Sequence, residues 1–235
     1  MDVKELFNKD RYDLSDLRLV FSYLRGENGC PWDRVQTHES IRANLIEETY
    51  EVVESIDKAD LKLMREELGD LLLQVVFHAG IEEEKGNFTL DDVISDVTEK
   101  LLRRHPHVFG NAQADNPEGA LNAWEAAKGE EKTERKTVVD KMNAVPPSLP
   151  ALMRAQKVSK KAVKGGFDSG ELIASSAQEV IAVGELMKNG ETDSAELEKH
   201  LGSALYGISV FAEKAELECE FELTKTCEEF IKTYN

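Results

Sequence analysis

The feature that most limits how this chain can fold is the spacing of its apolar residues. Leu45, Thr49, Val52, Val53 and Ile56 recur at intervals of three and four, as one face of a helix requires. A second and longer pattern runs from Leu61 to Ile81, and a third from Leu90 to Leu102, with Asp91 and Asp92 near its start, where acids suit the helix dipole. Alternating Val/Ile/Thr/Tyr runs bounded by turn residues do not occur, so strands are not expected. An all-α, bundle-like architecture follows. Three of the six prolines, Pro146, Pro147 and Pro150, form a break between a longer N-terminal and a shorter C-terminal part. Gly110 to Glu118 reads as a loop, and the charge-rich run from Lys128 to Lys141 as either a helix or a connection.

Charge narrows the function. With 46 Asp+Glu against 29 Lys+Arg the formal charge is −17. Such an excess disfavours binding of nucleic-acid polymers or of anionic membrane by charge. It leaves phosphorylated small molecules open, because a bound divalent metal reverses the local sign. The first residues contain no apolar leader, and no apolar stretch is long enough to span a bilayer. Cys30, Cys219 and Cys227 are odd in number and form no C-x-x-C. Reduced thiols in a cytoplasmic protein are the expectation.

Four acids fall in two pairs at helical spacing, each pair beside an apolar face. With Leu45 at zero on a helix, Glu48 falls at about −60° and Glu51 at about −120°. Both border the apolar face, whereas Glu47 and Glu54 lie nearly opposite it. On the next helix Leu68, Leu71, Leu72, Val75 and Ala79 make the expected core stripe. Glu67 and Asp70 share another stripe, which Gln74 and His78 continue. Two antiparallel helices with such pairs bring four carboxylates together. Acids that close repel unless cations intervene, and hard oxygen ligands suit Mg²⁺ or Mn²⁺. The chemistry that follows is phosphoanhydride hydrolysis by metal-activated water. A plainer reading, two solvated helix faces, competes with it.

Lys100, Arg103 and Arg104 form a basic cluster before His105-Pro106-His107. It reads either as cationic capping of a helix C-terminus or as a clamp on phosphate oxygens. The histidines read as turn residues or as phosphate ligands. Trp32 and Trp124 are each either packing anchors or stacking platforms for a base. P-loop, dinucleotide-binding and zinc-protease motifs are absent, as is any E-x-x-H of a di-iron bundle. Arg65 to Gly69 looks like a fragment of a Nudix box without its spacing.

Taken together, E-E-x-x-E over Glu47 to Glu51, E-L-G-D over Glu67 to Asp70, Asn28 to Asp33, Arg103 to Phe109 and Ser148 to Lys157 resemble the MazG family over nearly the whole chain. That resemblance implies an all-α enzyme, a hydrolase that cleaves nucleoside triphosphates (NTP or dNTP) at the α–β bond to NMP and pyrophosphate with Mg²⁺, working as a homodimer. By the same resemblance Glu48, Glu51, Glu67 and Asp70 are the metal ligands and catalytic residues. Lys100, Arg103 and Arg104 would hold phosphate. Asn44, Ile46, Glu47, Arg65 and Glu66 would lie beside the nucleotide, and Trp124 would face the base.

The family's longer members carry two such domains, and a second copy is traceable here. Gln178-Glu179-Val180-Ile181-Ala182 stands for E-E-x-x-E, so Glu179 alone survives. In the second motif His200 replaces the Glu and Ser203 the Asp. The expected organisation is a catalytic domain over 1–130, a linker over 131–160 and a degenerate, silent domain over 161–235. The competing readings are a catalytically silent dimer module that senses nucleotide or metal, and a plain dimerisation scaffold.

Overall fold

A computed structural model describes residues 3–131, 137–190 and 195–234, all of them in helices, turns and loops; no strand occurs among the described residues. The charge-rich run read as helix or connection lies partly outside them. The chain divides into two compact units, 1–128 and 129–235. The division falls earlier than the proline cluster, which instead separates two helices of the second unit.

The first unit opens with a 3₁₀ turn, Val3–Asn8, and continues through α1 (Leu14–Arg25), the single turn α2 (Pro31–Arg34), α3 (Arg42–Asp57), α4 (Leu61–Glu84), α5 (Leu90–Arg104), the single turn α6 (Pro106–Phe109) and α7 (Pro117–Glu130). Local chemistry sets the boundaries. Asp13 and Asp16 close a capping box on α1, and Thr89 and Asp92 close one on α5. The turn between α3 and α4 uses Ala59 at φ 51°, after which the Asp60 carboxylate accepts the amides of Lys62 and Leu63. This short connection makes α3 and α4 an antiparallel hairpin.

The core of the unit is Phe21, Ile41, Val76, Phe77, Ala79, Ile81 and Leu90. Phe21 meets Phe77 edge-on, with centroids 4.8 Å apart. Gly80 permits that approach, because a Cβ there would lie 2.1 Å from Phe21 Cε1. Arg25 covers Phe77 and holds the Glu84 carboxylate at both oxygens.

Two expected core stripes need correction. On α3, Leu45, Val52 and Val53 are half-buried, but Thr49 and Ile56 are exposed and Ser55 is fully buried, its hydroxyl donating to the Val52 carbonyl. On α4 the buried residues are Gln74, Val76, Phe77, Ala79 and Ile81. Leu68, Leu72 and Val75, expected inside, are 49%, 43% and 38% exposed. Helix α4 is apolar around much of its circumference, and the fold buries one stripe while leaving another at the surface.

The second unit holds α8 (Val138–Asn143), α9 (Ala151–Lys164), α10 (Ser169–Asn189), α11 (Ala195–Lys214) and α12 (Cys219–Lys232). The stretch 131–160, read as a linker, thus contains α8 and most of α9, and α9 packs on α11. Helices α10 and α11 form a second hairpin, where Gly207 lies so close to Ser176 that a Cβ would collide with it. Gln156 fastens α9 to the start of α12, donating to the Leu217 carbonyl and accepting from the Cys219 amide. The three cysteines are free thiols. No described helix is long and apolar enough to cross a membrane.

Candidate functional site

The α3–α4 hairpin brings the predicted acids together. Glu48 from α3 and Glu67 and Asp70 from α4 each offer a carboxylate oxygen, all within 4.8 Å of one another. Glu51 lies within hydrogen-bonding reach of both Glu48 and Glu67. Helix spacing explains the grouping: residues three apart have Cβ atoms about 5–6 Å apart, and the antiparallel partner supplies the second pair. Glu48, Glu51 and Glu67 are half-buried and Asp70 is exposed.

The electrostatics match the crowding. The Glu48 carboxyl is pushed above its usual range by partial burial and then by Asp70 and Glu51. Glu67 is pushed up by desolvation and by Glu51, Glu66 and Asp70. Both shifts are those of carboxylates short of positive charge. A set of hard oxygen donors this close, reached from solvent, fits a divalent cation better than any pairing available within the cluster.

The other predicted residues fall into two groups. Asn44 is half-buried on α3, while Ile46, Glu47, Arg65 and Glu66 are exposed on the hairpin that carries the acids. Glu47 lies nearly opposite the apolar face of α3, as its helical angle requires. The cations form a separate group on α5. Arg103 pairs with Glu99 one turn back, and Lys100 is exposed. Arg104 lies over the Trp124 ring at 5.4 Å, and Lys128 Nζ lies over the same ring at 4.4 Å. Trp124 is therefore tied to two cations within the first unit. His105 has a ring nitrogen 2.7 Å from the Leu101 carbonyl, a helix-ending contact that supports the turn reading. Trp32 is 58% exposed and anchors no core.

One polar group beside the hairpin was not expected. His38, in the loop before α3, meets His78 of α4 edge to edge, with planes 5° apart, centroids 5.0 Å apart and Nδ1 atoms 2.7 Å apart. Its Nε2 lies 2.6 Å from Glu82. The continuation of the Glu67–Asp70 stripe through Gln74 and His78 was legible in the sequence, but the distant partner His38 was not.

In the second unit His200 occupies the position aligned with Glu67. Its Nδ1 lies 2.5 Å from Glu179, aligned with Glu48, and its Nε2 is 3.6 Å from Glu196. Hydrogen bonding to Glu179, and then the charges of Glu179 and Glu196, raise the affinity of His200 for its proton.

Comparison with known proteins places these features in context. Residues 36–109, which include both acidic motifs and the basic cluster, match the MazG nucleotide pyrophosphohydrolase domain. The chain is 40% identical over 222 residues to the nucleoside triphosphate pyrophosphohydrolase/pyrophosphatase MazG of Thermotoga maritima, covering 93% of this chain and 83% of that protein. It is 39% identical over 211 residues to the nucleoside triphosphate pyrophosphohydrolase of Escherichia coli K12, covering 88% and 80%. The nucleoside triphosphate pyrophosphohydrolase of Mycobacterium tuberculosis is 45% identical over 139 residues, 58% of this chain and 41% of that one.

Proposed function

Because this chain belongs to the MazG family, we propose that its first unit hydrolyses nucleoside triphosphates at the α–β phosphoanhydride bond, consuming water and giving NMP and pyrophosphate. The observation that carries the reading is the meeting of Glu48, Glu67 and Asp70 oxygens within 4.8 Å across two helices. Glu48, Glu51, Glu67 and Asp70 would hold Mg²⁺, with Mn²⁺ as an alternative. The chemistry such an ion supplies is neutralisation of phosphate charge and activation of water.

The chain's own residues do the rest. The carboxylates would hold the cation between α3 and α4, and the partial burial of Glu48 and Glu67 keeps them from being fully screened by solvent. Asn44, Ile46, Glu47, Arg65 and Glu66, on the same two helices, would lie beside the nucleotide. Lys100 and Arg103 would hold phosphate oxygens, as the family's pattern implies. Arg104 contributes through Trp124, whose ring it covers.

The exposed stripe of Leu68, Leu72 and Val75, with Ile46 and Tyr50 on the neighbouring helix, is an apolar surface on the hairpin that carries the acids. We read it as the face of a homodimer, with the basic end of α5 completing the site of the partner copy. The second unit, lacking all but one ligand, is read as silent.

Pyrophosphate release from a panel of NTPs and dNTPs with Mg²⁺, beside Glu48→Ala, tests the reading. Release that requires metal and is lost in the variant is expected. Saturable nucleotide binding without turnover would replace it with a sensing role.

A further inference from the structure

The acid excess of this chain is unevenly placed. Helix α9 carries Arg154, Lys157, Lys160, Lys161 and Lys164 and not one acid. In a chain of −17 the remainder is more negative still. The start of α9 belongs to the Ser148 to Lys157 stretch, to which the hydrolase reading gives no role.

The cations form a row. At 100° per residue Arg154, Lys157, Lys161 and Lys164 fall within an arc of roughly 80°, and at 1.5 Å per residue they extend about 15 Å along the helix. Gln156 and Ser159, the buried residues of α9, lie on its other side. Arg154, Lys157 and Lys164 are exposed and Lys161 is half-buried. Lys160, beside the row, is 2.8 Å from Glu213 of α11. Arg154, Lys157 and Lys161 make no ion pair among the described residues.

A solvated helix face ordinarily mixes signs, so that acids and bases pair one turn apart. Here Lys157 and Lys161 are like charges one turn apart, as are Lys160 and Lys164, and such pairs weaken a helix. Lys161 and Lys164 suit the negative end of the helix dipole, but Arg154, the fourth residue of α9, stands near the positive end. Helix capping thus accounts for the end of the row and not for its start. A line of anions would relieve the repulsion. What the row lacks narrows the choice of anion. No apolar residue falls inside its arc, and α9 has no aromatic residue. A protein partner is anchored by apolar or aromatic side chains, a membrane needs an apolar face beside the cations, and a single strand needs rings on which its bases stack. The phosphates of a duplex need only the charges.

We propose that the Arg154–Lys157–Lys161–Lys164 face of α9 docks the phosphate backbone of a nucleic-acid duplex without reading its sequence. The charge of the whole chain opposes such binding at long range, but at 0.1 M salt exposed charges more than about 10 Å apart are largely screened, so the row acts locally. The contact lies in the second unit and uses neither the carboxylate cluster nor a metal. It therefore stands or falls apart from nucleotide hydrolysis.

Fluorescence anisotropy of a short labelled DNA duplex, titrated with the full chain in EDTA from low to physiological salt, tests the proposal. Saturable binding is expected, equal for two unrelated sequences. The logarithm of the binding constant should fall against that of salt with a slope of about −3, as for three or four phosphates neutralised at about 0.9 each. Lys157→Gln should make that slope shallower by about one. Lys157→Glu combined with Lys161→Glu should abolish binding and leave the circular dichroism of the chain unchanged. Lys188→Glu, an exposed reversal on α10, should bind as the wild type does. No saturable binding at low salt, binding that survives the double reversal, an equal loss in Lys188→Glu, or tighter binding of polyglutamate than of duplex overturns the proposal.

Discussion

Glu179 meets His200 across the second hairpin at positions aligned with those where Glu48 meets Glu67 across the first. One contact joins an acid to a base, and the other joins two acids. The first supplies its own positive charge, and the second calls for an external cation. The two halves of the chain should therefore respond differently to metal and to pH.

The raised pKa values of Glu48 and Glu67 mean that the folded, metal-free chain binds their protons more tightly than the unfolded chain does. Their mutual repulsion thus costs stability as pH rises from the ordinary carboxylate value of 4.5 through the raised ones. Glu48→Gln should raise the melting temperature of the metal-free protein at pH 7. The same substitution should abolish the stabilisation that Mg²⁺ gives the wild type. Thermal melts with and without Mg²⁺ check both signs.

His200 behaves in the opposite sense. Its pKa is raised above 6.5 by Glu179 and Glu196, so its contribution is fully present below 6.5 and fades as pH rises through the raised value. His200→Gln should flatten that part of the stability profile. Mg²⁺ should leave the second unit unaffected. Hydrogen exchange of α10 and α11 at pH 6 and pH 9, in wild type and variant, reads this directly.

Gly80 allows Phe21 to sit against α4. Gly80→Ala places a Cβ about 2 Å from the Phe21 ring, and overpacking of this kind costs about 1–3 kcal/mol. Urea denaturation should show a lower midpoint. Gly69→Ala, with nothing within 4 Å of the added Cβ, is the matched control and should be neutral or slightly stabilising.

The exposed residues Leu68, Leu72 and Val75 lie on the hairpin that carries the acids. If the proposed dimer forms through this stripe, Leu72→Asp should sediment as a monomer where the wild type sediments as a dimer. It should also lower turnover, since the basic end of α5 is read as serving the partner's site. A wild type that sediments as a monomer contradicts the dimer.

Helix positions and the acid pairs were legible because both depend on local spacing. The 3.6-residue period places Glu48 and Glu51 at the border of α3, and Glu67 and Asp70 on one stripe of α4, whatever surrounds them. The burial of α4 was less legible. Its Leu68–Leu72–Val75 stripe and its Gln74–Phe77–Ile81 stripe are both plausible core faces, and only α1, through Phe21, decides between them. His38 escaped notice for a related reason. It lies in a loop far along the chain from its partner, and only tertiary packing brings it to His78. Residues 131–160 read as a linker because prolines interrupt the helical pattern, but α9 begins right after Pro150, so the proline break sits inside the second unit.

Carboxylates on α3 and α4 are proposed to hold a metal ion for cleavage of a nucleoside triphosphate between its α and β phosphorus atoms. Phosphorus NMR of one NTP incubated with wild type or Glu67→Gln, with and without Mg²⁺, tests it most directly. NMP and pyrophosphate are expected, formed only with metal, with a loss of about 10²-fold or more in the variant, the scale of removing one preorganised transition-state contact. NDP and phosphate as products, turnover that ignores Mg²⁺, or a variant as active as the wild type would contradict it.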